Sequence, residues 1–128
     1  KIGSADTDGG LAVFEQIGKS PNGGPPLHIH ADQDEYFHVL EGKYRFQVGE
    51  QHFPASIGDT IFLPRGVPHA FIQLTDHARM LVTYQPAGDM EAFFQETAQW
   101  TLPPSKEEVA RVFRAHGMEV VGPPLQVE

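Results

Sequence analysis

The chain contains no cysteine, which excludes disulfides, zinc–thiolate centres and thiol nucleophiles together. Any chemistry must run on nitrogen and oxygen. Cations are scarce: nine Lys plus Arg stand against seventeen Asp plus Glu, a formal net charge of −8, and no basic run or basic helix face occurs. Nucleic acid and anionic membranes are therefore not expected partners, because phosphate binding needs clustered Lys and Arg. No stretch nears the roughly 20 apolar residues of a membrane span, and the opening, Lys1 to Gly10, has no signal-peptide core. The sequence begins at Lys1 rather than Met, which points to residues lost upstream and leaves room for a removed targeting segment; the cytoplasm is the expected compartment. No internal repeat and no low-complexity segment is found.

What remains suits one globular domain. A length of 128 residues is enough for a single core and too short for two comfortable ones, and nine Phe supply much of the apolar bulk. Residues 1–10, with three Gly and two Asp, read as a mobile lead-in. Strands are expected over Leu11–Ile17, Leu27–His30, Glu35–Leu40, Thr60–Leu63, His69–Leu74 and Arg79–Gln85, broken by Gly and Pro turns. Tyr44, Phe46 and Val48 alternate with Lys43, Arg45 and Gln47, a strand with one buried face. Glu41-Gly42 and Gly49-Glu50 supply tight turns, so Glu35 to Phe53 reads as an antiparallel meander. Many short strands indicate a β-barrel or sandwich over 11–85. Two helices follow within 89–117. Asp89 is placed to cap the first, with Met90, Phe93, Phe94, Thr97 and Ala98 on one face; Ser105-Lys106-Glu107-Glu108 opens the second as a capping box, and Gly117 ends it. Residues 118–128 read as an extended tail able to dock on the body or on a partner.

The chemistry concentrates in His28-x-His30-x4-Glu35 and His69. Residues i and i+2 of a strand share a face, so His28 and His30 point into one space; four residues later a turn returns Glu35 alongside, and His69 begins a later strand. Imidazole and carboxylate donors suit one divalent transition metal, Fe, Mn, Ni, Cu or Zn, and four protein ligands on an octahedral ion leave two open positions. His38 has the opposite strand parity from Glu35 and should face away; His52, His77 and His116 lack supporting residues. Phe37 and Val39 share parity with Glu35, and Phe71 and Gln73 with His69, so these four are candidate lining for a pocket beside the ion. Glu35 doubles as candidate general base, its pKa raised by burial unless the metal's charge holds it down. Arg65 is placed to meet an acidic substrate at the mouth or to remain a solvated turn charge.

With these residues in view the chain resembles the cupins. The Gly-rich loop, His28, His30, Glu35 and Gly42 match the first cupin motif; Gly58-x5-Pro64-x-Gly66-x2-His69 matches the second, and the resemblance covers about residues 11–85. Where the second motif usually ends in Asn, this chain has Gln73, and Gly23 and Gly24 lie slightly closer to His28 than is common. The resemblance implies a mainly β fold, a cupin-type antiparallel barrel or jelly roll carrying two C-terminal helices. Pro86-Ala87-Gly88 and the two helices are similar to small single-domain cupins of the quercetin 2,3-dioxygenase kind. That implies a metal-bound flavonol or other enolisable small molecule oxidised by dioxygen, with the metal-site glutamate taking the hydroxyl proton. Two further classes stay open: a metal-dependent isomerase, epimerase or lyase, and a non-catalytic small-molecule-binding cupin. A homodimer is expected, on the same resemblance and on outward-facing Tyr36 and Leu40.

Overall fold

In a computed structural model, residues 1–19 and 21–126 are described. Among the described residues nine strands occur: β1 (Ala12–Gly18), β2 (Pro26–His30), β3 (Asp34–Glu41), β4 (Tyr44–Val48), β5 (Gln51–Ala55), β6 (Thr60–Leu63), β7 (His69–Gln73), β8 (Ala78–Gln85) and β9 (Met118–Pro124). Helices α1 (Met90–Thr97) and α2 (Lys106–Ala115) lie between β8 and β9. The strands form two antiparallel sheets, ordered β1-β8-β3-β6 and β5-β4-β7-β2-β9. The architecture is a mainly β jelly roll of two facing sheets, and no strand pairing closes it into a barrel.

Alternation along each strand builds the core. Phe37 and Val39 of β3 and Met80 and Val82 of β8 meet Tyr44 and Phe46 of β4 and Phe71 of β7, all buried. The Phe37 ring lies 5.4 Å from Phe46 and 5.3 Å from Phe71, in the tilted and edge-on arrangements that aromatic quadrupoles favour. Each such side chain contributes about 1.5–3 kcal/mol on burial, so the aromatic cluster alone offsets the ordering of many loop residues.

Two expectations from the sequence are corrected, the meander and the Asp89 cap. Glu35 to Phe53 is not a meander: β4 and β5 form a hairpin through Gly49, at φ +60, but β3 pairs with β6 and β8 in the other sheet. The crossing occurs at Gly42, where φ is +82 and an added Cβ would lie 2.5 Å from the His77 carbonyl oxygen. Within residues 1–10, Ile2 bridges Val13 and a 3-10 turn spans Ser4–Thr7. The 118–128 tail contributes β9, which pairs with β2 and places Met118 opposite His30; residues 127 and 128, like residue 20 of the preceding loop, lie outside the described residues. Asp89 precedes α1 but its side chain caps nothing, whereas Ser105 accepts a 3.1 Å hydrogen bond from the Glu108 amide as a true N-cap of α2. Among the described residues no helix is long and apolar enough to cross a membrane.

Candidate metal centre

Strand pairing assembles the four side chains. His28 on β2 sits directly opposite His69 on β7, His30 follows on the same face, and Glu35 reaches over from β3 in the facing sheet. The ligating atoms of His28, His30, Glu35 and His69 all lie within 4.8 Å of one another, and all four residues are buried. Glu35 Oε2 is 3.1 Å from His30 Nε2 and 3.0 Å from His69 Nε2. The loop before β2 comes in tightly: a Cβ at Gly24 would lie 1.9 Å from the Phe71 carbonyl oxygen, so only glycine passes there.

The far side of each imidazole decides what the near side can do. His28 Nδ1 faces the Pro26 carbonyl oxygen at 2.7 Å and His69 Nδ1 faces that of Val67 at 3.4 Å. Carbonyl oxygens only accept, so Nδ1 carries the proton and Nε2 is left as a lone-pair donor. For His30 the partner is Gln33 Oε1 at 2.6 Å, and the Gln33 amide is oriented because its Nε2 donates to the Pro86 and Ala87 carbonyl oxygens at 2.8 and 3.0 Å. This outer layer fixes ring orientation as it does around metal-bound histidines.

Electrostatics agree with a ligand set. Burial, with the His69 ring next, lowers the His28 pKa to about 3, so His28 stays neutral. Burial pushes the Glu35 carboxyl up, but the His30 and His69 rings against it outweigh that effect and hold it below the usual carboxylate range. The expected rise through burial is therefore reversed by the two rings. His30 Nε2, Glu35 Oε2 and His69 Nε2 are buried and make no aligned hydrogen bond. Three unsatisfied buried groups cost on the order of 3–9 kcal/mol, comparable with the whole stability of a domain. A divalent ion coordinated by all three removes that cost, so these residues fit a metal. Three imidazoles and one carboxylate suit Fe, Mn, Ni, Cu or Zn.

Beside the centre lies a cavity of about 210 Å3, reached by His28 and Glu35 and walled by Phe37 and Phe71. Of the other two candidate lining residues, Val39 is buried in the core and Gln73 lies away from the cavity. The Gln73 amide donates to the carbonyl oxygens of Gly18, Thr75 and Asp76; its longer side chain is spent on tying two loops together. Arg65 is held by Asp34 at 3.1 Å and does not line the cavity. His38 faces outward and hydrogen-bonds Thr60, as its parity requires. Three contributions were not read from the sequence: Gln33, Tyr84 and the inner faces of α1 and α2. Tyr84 pairs with Glu35 in register and lines the cavity; burial first and the Glu35 charge second push its phenol well up, so it remains a donor.

Two facing antiparallel sheets with three buried imidazoles and a carboxylate gathered beside an apolar cavity define a small β protein with a candidate metal centre. Residues 20–84 match the cupin domain family, and the chain belongs to it. The chain is 32% identical over 65 residues to quercetin 2,3-dioxygenase of Bacillus subtilis, a match covering 51% of this chain and 19% of that protein. The fold is similar to that of KdgF from Halomonas sp., at 17% identity and a TM-score of 0.61 over 65% of this chain and 74% of that one. It is also similar to a cupin-superfamily sugar phosphate isomerase from Silicibacter pomeroyi, at 28% identity and a TM-score of 0.54 over 59% and 50%.

Proposed function

We propose that the protein is a metal-dependent dioxygenase of the quercetinase type, acting with dioxygen on an enolisable or flavonol-like small molecule. One observation carries the reading: three imidazoles and a carboxylate converge, buried, beside an aromatic cavity, with His30 Nε2, His69 Nε2 and Glu35 Oε2 lacking a hydrogen-bond partner. Similarity to quercetin 2,3-dioxygenase, 32% identical over about half of this chain, supports the reaction type. A bound divalent ion would supply Lewis acidity and open coordination positions. His28, His30 and His69 present Nε2 atoms to hold it. Glu35 reaches the cavity, so its carboxylate is placed to take the enol proton as the substrate enters. The phenyl walls exclude water from the deprotonated substrate.

Oxygen uptake tests the reading. Loss of an enolisable substrate should be matched by consumed dioxygen and should stop under nitrogen. Turnover undiminished without dioxygen would overturn it in favour of an isomerase or lyase, the reading that the likeness to a sugar phosphate isomerase raises. Homodimerisation belongs to the same proposal. Tyr36 faces outward in register with Phe62, which is 59% exposed, on the outer face of the four-stranded sheet. Light scattering that finds only a 14.2 kDa species would contradict it.

A further inference from the structure

We infer, building on the dioxygenase reading, that the site selects a compact, uncharged, planar enol of single-ring size, with the Tyr84 hydroxyl donating to the carbonyl beside the enol. Size comes first. Sites for drug-sized ligands run to roughly 300–1,000 Å3, and the cavity holds about 210 Å3. Its roof is interlocked: Phe93 of α1 packs edge-on against Phe113 of α2 at 5.0 Å, and Phe113 packs on the His28 ring at 5.1 Å. A fused three-ring molecule has to part these contacts.

Charge comes second. Among the described residues no Lys or Arg lines the cavity, and Glu35 is the one carboxylate in its wall. Arg65 is engaged by Asp34. A carboxylate or phosphate pressed against Phe93 and Phe113 loses its hydration and gains no partner. A neutral enol meets no such penalty, and its proton has an acceptor in Glu35.

Polar placement comes third. Tyr84 is the cross-strand partner of Glu35, and such partners share a face. Its ring stands 5.7 Å from that of His30, and its hydroxyl lies within hydrogen-bonding reach of the Glu35 carboxylate, on the side from which a substrate enters. One acceptor for the enol proton and one donor for the neighbouring carbonyl thus face the same space.

Calorimetry on the full chain loaded with zinc, which has no redox chemistry to turn a ligand over, separates the three terms, with bound zinc checked by elemental analysis after each titration. Maltol is a single hydroxypyranone ring, 3-hydroxyflavone extends that ring with two more, and comenic acid adds a carboxylate to it. Maltol should bind, and the other two should bind at least about tenfold more weakly. Tyr84→Phe should weaken maltol roughly three- to tenfold with zinc content unchanged. Equal or tighter binding of 3-hydroxyflavone or comenic acid, an unaltered maltol affinity in Tyr84→Phe, or no maltol binding at all would overturn the inference. Intact selectivity without oxygen uptake removes only the dioxygenase reading. Oxygen uptake without selectivity removes only this one.

Discussion

Replacing Gln33 by Leu should loosen the candidate metal centre without touching a ligand. The Gln33 side chain is buried, accepts from His30 Nδ1 at 2.6 Å and donates to two carbonyl oxygens, those of Pro86 and Ala87. Leucine has similar bulk and none of these contacts. The His30 ring proton is then left buried without a partner, at about 1–3 kcal/mol, while the Ala87 carbonyl keeps the Met90 amide. Against a total stability of roughly 5–15 kcal/mol, the domain is expected to fold but to unfold at clearly lower urea. Zinc affinity should fall about 10- to 100-fold, the usual effect of losing a hydrogen-bond partner behind a metal-bound histidine. Gln33→Glu splits the two effects. Its carboxylate still accepts from His30, so affinity should recover towards wild type, while the lost donors leave stability low. Gly88 leaves no slack, since a Cβ there would sit 2.8 Å from Gln33 Nε2. Chelator competition for zinc, run beside urea unfolding, reads both quantities. Wild-type zinc affinity in Gln33→Leu would refute the argument that this amide orients His30.

Further outcomes follow from the same geometry. Glu35→Gln should lower turnover by about 100-fold or more, the usual worth of a positioned base; unchanged turnover would remove Glu35 from proton transfer. Metal-free protein should lose stability as pH falls from about 6.5 towards 3, because unfolded His28 binds a proton that the folded form, with its pKa lowered to about 3, refuses. The slope approaches 1.4 kcal/mol per pH unit, and Glu35, held below its ordinary 4.5, adds to the loss at the acid end. Equal urea midpoints at pH 7 and pH 4 would contradict a neutral buried imidazole. Ser105→Ala should cost about 1 kcal/mol through loss of the α2 cap, visible as a lower melting temperature; an unchanged one would mean that the cap is idle.

Much of this was legible in the sequence because the strand period of two is strict. The alternation that sends His28 and His30 to one face also puts Phe37 and Phe71 on the cavity wall, and Thr60–Leu63 was bounded to the residue. Pairing partners were harder, since alternation says which face a residue takes and nothing about which strand lies beside it. That is why β3 and β4 read as neighbours, and why Tyr84, 49 residues from its partner Glu35, was overlooked. Gln33 sits in a turn, where no periodicity marks it. β9 was hidden by Gly122-Pro123-Pro124, which reads as a tail; an edge strand tolerates proline because one side of it needs no ladder hydrogen bonds. Gln73 shares parity with His69, but parity could not show that its amide would be used by the Gly18 and Thr75 carbonyls.

The most direct test is the metal itself. Protein reconstituted separately with Fe, Mn, Ni, Cu and Zn, then desalted, should retain close to one ion per chain for at least one of them, with imidazole scattering in its X-ray absorption spectrum. His69→Ala and His28→Ala should retain almost none while keeping the β circular dichroism of the wild type. Full occupancy in either variant, or a wild-type chain that holds none of the five metals, would contradict a centre built from His28, His30, Glu35 and His69.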